Sequence, residues 1–150
     1  MATMTPARLA VRHPRRIPLA AGPRAAVEAR AQVRAAICAW DLPVDESDAV
    51  LLTSELVTNA ISHETGTSIT LAVTCSFGQL RVEVHDTSRT LPVLVDAAAD
   101  AEAGRGLMLV ASLSATWGIY RTPAGKAVYF TLAFEPGPPG GDGRAQTWGL

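Results

Sequence analysis

The sequence predicts a two-layer α+β sandwich in which a mainly antiparallel sheet is covered on one face by three helices. Three observations lead to this fold class. Two helix-forming segments precede four strand-like segments, and a third helix-forming segment separates these strands into two pairs. Short turns join the strands within each pair, which predicts antiparallel neighbours. The strands have a single apolar face, so we expect the helices to cover one side of the sheet.

The three predicted helices span residues 23–40, 46–63 and 107–114. Pro23 suits the first position of a helix, and Asp45 is a suitable N-cap for the second helix. The apolar line predicted for the first helix consists of Ala26, Val27, Val33, Ile37 and Trp40. The third helix is apolar nearly all round, which predicts that it is buried.

The predicted strands alternate apolar and polar side chains. They are residues 67–76, 80–86, 116–121 and 126–134, and residues 16–20 are expected to add an edge strand. In the second of these strands, three aliphatic side chains share one face. Continuing the same alternation by one step places the carboxylate of Asp86 on that apolar face, where an acid needs a partner.

The composition indicates one globular domain with an extension at each end. Of the 150 residues, 48% are hydrophobic and 18% are charged, which allows a sizeable core. Residues 1–15 have no periodic pattern and are interpreted as a flexible arm. The Pro- and Gly-rich residues 135–150 are interpreted as a disordered tail. The domain is therefore expected to occupy residues 16–134.

Charge and hydropathy disfavour two classes of partner. The net charge of -1 provides no general attraction to nucleic acid or to an anionic membrane. No apolar run reaches the length of a transmembrane helix, so we expect a cytoplasmic protein. Cys38 and Cys75 lack the spacing of a metal site and are expected to be buried, reduced thiols.

Polar residues border the apolar side of the second predicted helix. Glu55, Asn59 and His63 follow one another at i, i+4 and i+8, about 40° apart around the axis at each step. One interpretation of Glu55 and Asn59 is a hydrogen-bonded pair on the surface. With a nucleoside triphosphate as ligand, Asn59 would hold Mg²⁺ and Glu55 would accept a proton from an attacking hydroxyl. His63 is interpreted as a partner of the helix dipole.

Asp86 also has two interpretations. It can start an Asx turn that Ser88 completes. Alternatively, its carboxylate reads the base of a nucleotide. An ionised carboxylate accepts hydrogen bonds and donates none, so it favours the exocyclic amine of adenine over the keto oxygen of guanine.

Glycines stand before the third predicted helix. Gly104 and Gly106 flank Arg105, and they would let the backbone approach phosphate oxygens closely, beside the positive end of the helix at Leu107. Turn geometry alone is the alternative for these glycines. Arg105 by itself is interpreted as solvated, but within this box Arg105 and Leu107 are candidate nucleotide-binding residues together with the two glycines. Lys126, which follows a hairpin glycine, is either a phosphate ligand or a solvated charge.

These residues fall into boxes that occur in a fixed order. The boxes are residues 55–63, residues 86–92, residues 104–107, Trp117-Gly118 and Gly125-Lys126. They resemble the anti-sigma-factor kinases of bacteria, which belong to the GHKL ATPases with histidine-kinase-like ATP-binding domains. The resemblance covers about residues 16–134. It implies the Bergerat fold, with ATP between the helices under a mobile lid formed by residues 87–103.

The resemblance also implies ATP and Mg²⁺ as cofactors and a role for each matching residue. Glu55 matches the proposed general base, Asn59 the Mg²⁺ ligand and Asp86 the residue that reads adenine. The glycines of the 104–107 box match those on the phosphate side. Ala127 stands where many relatives carry Thr, which removes one hydroxyl from the nucleotide site.

The implied function is a serine/threonine kinase that phosphorylates a STAS-type anti-anti-sigma protein and controls a sigma factor. The family also suggests a homodimer. Phosphorylation would release the STAS partner by adding charge at the interface. An alternative is a non-catalytic module that binds ATP while its helices bind a regulatory partner. A third interpretation is a histidine-kinase catalytic domain detached from its dimerisation helices.

Overall fold

A computed structural model of the chain describes residues 14–63, 66–88 and 109–135. In chain order the elements are β1 (Arg15–Ala20), α1 (Ala25–Ala39), α2 (Glu46–His63), β2 (Ser68–Ser76), β3 (Gln79–Asp86), β4 (Thr116–Arg121) and β5 (Lys126–Ala133). Residues 109–113 are also helical and belong to the third predicted helix. The predicted α+β fold is confirmed. The bounds of the seven named elements agree with the prediction to within two residues.

Several predictions lie outside the described residues. They concern the arm up to residue 13, the lid from residue 89 onward, the 104–107 box and the tail from residue 136. Asp45 is confirmed as the N-cap of α2, because its Oδ1 atom accepts a hydrogen bond from the backbone N–H of Asp48 at 3.0 Å.

The five strands form one antiparallel sheet in the order β1-β2-β3-β5-β4. The register aligns apolar side chains into rows across the sheet. One row crosses all five strands and consists of Ile17, Leu71, Val84, Val128 and Ile119. The three central members of this row are at most 1% exposed, so the row lies in the core. The alternation that predicts the strands therefore also locates their buried face.

The helices form the second layer. α1 packs against β1, β2 and α2, whereas α2 packs against β3 and β5. The buried residues of α1 are Ala25, Ala29, Val33, Ala36 and Ile37. These residues form the buried stripe of α1. The prediction that Val27 belongs to this stripe is wrong, since Val27 is 54% exposed. The stripe consists largely of alanines, which let the helix approach its neighbours closely and carry little weight in a hydropathy pattern.

Two other burial predictions are wrong. Cys38 is exposed, because Ile37 lies at the edge of the buried side of α1 and Cys38 stands about 100° further around the axis, whereas Cys75 is buried as predicted. The third helix is not buried all round in its described part. Val110 is fully buried there, but residues 111–113 are exposed. No helix in the described part of the chain is long and apolar enough to span a membrane.

Two arginines of α1 contact α2 instead of being merely solvated. Arg30 donates a hydrogen bond from Nη1 to Ser54 Oγ at 2.9 Å. Arg34 forms a salt bridge with Glu46, with 3.3 Å between Nε and Oε2. The side chains of the Arg34–Glu46 pair are about half exposed, so solvent screening keeps the contribution of this pair to stability small.

A polar cluster occupies the face of the sheet that the described helices leave open. Glu83 accepts hydrogen bonds from Arg81 Nε and Tyr120 Oη, and its Oε1 atom lies 2.9 Å from His85 Nε2. Burial by itself raises the pKa of Glu83. The hydrogen bonds from His85, Tyr120 and Arg81 and the charge of Arg81 outweigh burial and lower this pKa to about 2. Burial, together with the bond to Glu83 and its charge, raises the pKa of Tyr120 to about 12.

Replacing Glu83 by Gln is expected to weaken the acid dependence of stability. The pKa of Glu83 is about 2 in the folded chain against an ordinary value of 4.5. The contribution of Glu83 is therefore present above pH 4.5 and is lost as the pH falls toward 2. Urea unfolding at several pH values in this window would measure the effect. Glu46→Gln, at an exposed ion pair, is the matched control. An unchanged acid limb in Glu83→Gln would contradict the assignment.

Candidate functional site

A buried ion pair joins the end of β3 to the start of β5. Asp86 is the last residue of β3, and the antiparallel register places it opposite Lys126, the first residue of β5. Lys126 Nζ donates a hydrogen bond to Asp86 Oδ2 at 2.5 Å, and both side chains are 0% exposed. Lys126 is the only lysine in the sequence. The interpretation of Lys126 as a solvated charge is therefore wrong.

The other carboxylate oxygen of Asp86 organises the backbone that follows β3. Oδ1 accepts a hydrogen bond from the backbone N–H of Ser88 at 2.8 Å, so the predicted Asx turn is present. An ionised carboxylate offers about four acceptor positions, and these two bonds occupy two of them. The turn is therefore compatible with a ligand, and it fixes the orientation of the carboxylate.

Burial makes this ion pair sensitive to the loss of either partner. Transfer of a charged group from water into a protein interior costs several kcal/mol, which the attraction between the partners and their hydrogen bonds offsets. Removing one partner leaves the other charge buried without its counter-ion, at a cost of about 3–5 kcal/mol. Asp86 and Lys126 therefore form an electrostatic unit at one end of the sheet.

Gly125 packs the β4–β5 turn against this unit. The turn is held by backbone hydrogen bonds between Thr122 and Gly125 in both directions, with N···O distances of 3.0 and 3.2 Å. A Cβ atom on Gly125 would stand 2.2 Å from the carbonyl oxygen of Asp86 and 2.6 Å from Thr87 Cα. Both neighbours are backbone atoms, so no side-chain rotation would relieve the clash. Glycine is required at this position.

Gly125→Ala is therefore expected to destabilise the fold by roughly 1–3 kcal/mol or more, because the added methyl group forces the turn away from β3. Equilibrium unfolding in urea would measure this difference. Gly22→Ala is the matched control, since a Cβ at Gly22 would have no neighbour within 4 Å. Equal unfolding free energies for the two variants would show that the turn does not pack as described.

α2 supplies two further polar candidates. Asn59 is 3% exposed, and Glu55, one turn earlier, is of intermediate exposure. The surface-pair interpretation is therefore wrong for Asn59. α2 packs directly against β3 and β5, the strands that carry Asp86 and Lys126. The structure thus packs the helix that carries Glu55 and Asn59 against the two strands that carry Asp86 and Lys126.

The remaining candidates, Gly104, Arg105, Gly106 and Leu107, lie outside the described part of the chain. Within the described ranges, no group of three or more His, Cys, Asp or Glu side chains could hold a metal ion. A Mg²⁺ site built on Asn59 would need oxygen ligands from a nucleotide or from water, as is usual for Mg²⁺ bound to phosphates.

Comparison with known families identifies the domain. Residues 19–132 match the family described as the histidine kinase-like ATPase domain. The matched range extends from β1 into β5 and includes Glu55, Asn59, Asp86 and Lys126. The chain belongs to the histidine kinase-like ATPase domain family. The predicted membership of the histidine-kinase-like ATPase domains is thereby confirmed.

The fold of this ATPase domain is also found among solved structures. The chain is similar to the crystal structure of the RsbU and RsbW domains of Rv1364c from Mycobacterium tuberculosis, with a TM-score of 0.61 and 24% sequence identity. The similarity covers 82% of this chain and 33% of that chain, so this chain spans about a third of its relative. At this identity the likeness establishes the fold. No curated protein matches the chain.

Proposed function

We propose that the chain is an ATP-binding anti-sigma regulatory protein that acts as a serine/threonine kinase on a STAS-type anti-anti-sigma protein and so controls a sigma factor. The observation that carries ATP binding is the buried, oriented carboxylate of Asp86 in a chain of the ATPase domain family. The resemblance of the residue boxes and the fold similarity to a chain with an RsbW domain support the regulatory role.

Asp86 would bind the adenine base. The Ser88 N–H and the Lys126 ammonium group hold the carboxylate in place, and its remaining acceptor positions suit the exocyclic amine. Both charged side chains are covered in the structure. A base can therefore contact these two side chains only after the atoms that cover them move. We expect nucleotide binding to be accompanied by a local rearrangement at this end of the sheet.

Asn59 would hold Mg²⁺ together with the phosphates. The amide oxygen is a hard donor of the kind that Mg²⁺ prefers, and the buried position of Asn59 fits one protein ligand in a site otherwise completed by phosphate and water oxygens. When bound, Mg²⁺ would neutralise charge that develops on the phosphates during transfer. The glycines of the 104–107 box would contribute backbone N–H groups to the same phosphates.

Glu55 would serve as the general base. It lies one turn before Asn59 on α2 and is of intermediate exposure, so a hydroxyl group can approach it from outside. The hydroxyl oxygen of a serine on the partner attacks the γ-phosphorus while the bond to the bridging oxygen of ADP breaks. Glu55 takes the hydroxyl proton, and ADP leaves with the electron pair. The phosphoserine carries a charge of roughly -2, which favours release of the partner.

Transfer of labelled phosphate tests this proposal. The full chain would be incubated with Mg²⁺, ATP labelled on the γ-phosphate and purified STAS-domain proteins from the same organism. The kinase proposal predicts label on a serine or threonine of one such protein. If the chain binds ATP and labels none of them, it acts as a non-catalytic ATP-binding module. If it does not bind ATP, the whole proposal is wrong.

A further inference from the structure

We propose that Asp86 and Lys126 read the base as one unit, in which Lys126 donates a hydrogen bond to adenine N1 while Asp86 accepts one from the exocyclic amine. This inference rests on the proposed function, since it takes the Asp86 end of the site as the end that receives the base. In this inference Lys126 contacts the base of the nucleotide. Its position after a hairpin glycine made it a candidate ligand of the phosphates instead.

The distance between the two charged groups supports this assignment. Lys126 Nζ is 2.5 Å from Asp86 Oδ2, so any ring that contacts this carboxylate also comes within reach of the ammonium group. An ammonium group has three N–H donors, of which one is directed to Asp86. The amine and N1 are neighbours on the edge of adenine, one a donor and the other an acceptor. An adjacent carboxylate and ammonium group present the complementary acceptor and donor.

A purely structural role accounts less well for Lys126. Both side chains of this ion pair are 0% exposed. Apolar residues of similar volume at such positions often make a fold equally stable or more stable than a buried ion pair does. Every other basic residue in the sequence, apart from histidine, is an arginine. The compact ammonium group fits beside a carboxylate and a ring edge where a planar guanidinium would need more room.

The pair complements guanine when the base is turned the other way. Guanine carries a keto oxygen, an acceptor, next to a ring N–H, a donor, so Lys126 would bind the oxygen and Asp86 the N–H. The direction in which the bound base lies along the pair, from Asp86 on β3 to Lys126 on β5, decides which of the two bases fits. The ATPase domain family of the chain favours adenine, and a comparison with GTP tests the choice.

Calorimetric titration of the full chain with ATP, 1-deaza-ATP and GTP tests the inference. In 1-deaza-ATP, a C–H group replaces N1, so only the bond from Lys126 is lost. We expect wild-type protein to bind 1-deaza-ATP about tenfold more weakly than ATP or worse, as for a hydrogen bond from a charged donor. We expect Lys126→Met to bind ATP more weakly than wild type and to bind ATP and 1-deaza-ATP equally.

Arg121→Met is the matched control. Arg121 is the cross-strand neighbour of Lys126 on β4 and is exposed, so its loss should leave the ratio of the two affinities unchanged. Equal binding of ATP and 1-deaza-ATP by wild type would overturn the inference, even if Lys126→Met failed to fold. So would GTP binding as tight as ATP binding. Failure of the wild type to bind ATP would instead overturn the proposed function.

The single lysine offers a second measurement that needs no variant. Labelling lysine with ¹⁵N at Nζ gives one side-chain ammonium resonance, because the chain has only Lys126. We expect ATP to shift this resonance and 1-deaza-ATP to shift it differently, since only ATP offers N1 as an acceptor. Identical shifts with the two nucleotides at saturation would place Lys126 away from N1 and contradict the inference.

Discussion

Replacing Asp86 by Ala is expected to abolish ATP binding and to lower the free energy of unfolding by about 3–5 kcal/mol. The substitution removes the carboxylate proposed to read adenine. It also leaves the ammonium group of Lys126 in a position that is 0% exposed without its counter-ion. Urea unfolding would measure the loss of stability, and calorimetry would measure the loss of binding.

Two further variants separate these effects. Asp86→Ala/Lys126→Met removes both charges, so we expect it to be more stable than Asp86→Ala alone and still unable to bind ATP. Glu46→Ala removes one partner of an exposed salt bridge and should cost less than about 1 kcal/mol. If Asp86→Ala were as stable as wild type, the pair would not be the buried unit described.

Glu55→Gln is expected to slow phosphate transfer by roughly 10²–10⁴-fold while leaving ATP affinity unchanged. Gln has nearly the shape of Glu but cannot accept the hydroxyl proton, and Glu55 is separate from the residues proposed to bind the base. Initial rates of label transfer to the STAS protein at saturating ATP would measure the effect. ATP affinity from calorimetry would show whether binding is retained.

Glu46→Gln, at an exposed position on the same helix, is the control for Glu55→Gln and should transfer phosphate at the wild-type rate. Transfer by Glu55→Gln at the wild-type rate would remove Glu55 as the base. ATP binding without transfer in the wild type would favour the non-catalytic module, in which Asp86 and the phosphate-side glycines suffice.

Most of the fold could be predicted because short-range sequence patterns indicate its helices and strands. Alternation in β2 and β3 and the cap at Asp45 depend only on near neighbours in the sequence. Burial in α1 could not be predicted as well, since three of its five buried residues are alanines and the larger Val27 is exposed. Which side of a helix is buried depends on the close approach of another element, and a hydropathy pattern does not measure that approach.

The candidate site was predicted as separate residues rather than as contacts. The strand pattern placed Asp86 on the apolar face, and the same alternation run backward from Val128 places Lys126 there too. A charge beside a turn is usually solvated, and this general rule leads to the wrong prediction for Lys126. The contact of Gly125 with the end of β3 could not be predicted, since it depends on the register between β3 and β5.

Calorimetric titration of Mg²⁺-ATP into the wild-type chain and into Asp86→Ala/Lys126→Met measures how far ATP binding depends on the buried pair. We propose that this ATPase domain binds ATP through that pair at the ends of β3 and β5. We therefore expect saturable one-to-one binding by the wild type and none by the folded double variant. Absence of binding by the wild type, or equal binding by both, would contradict it.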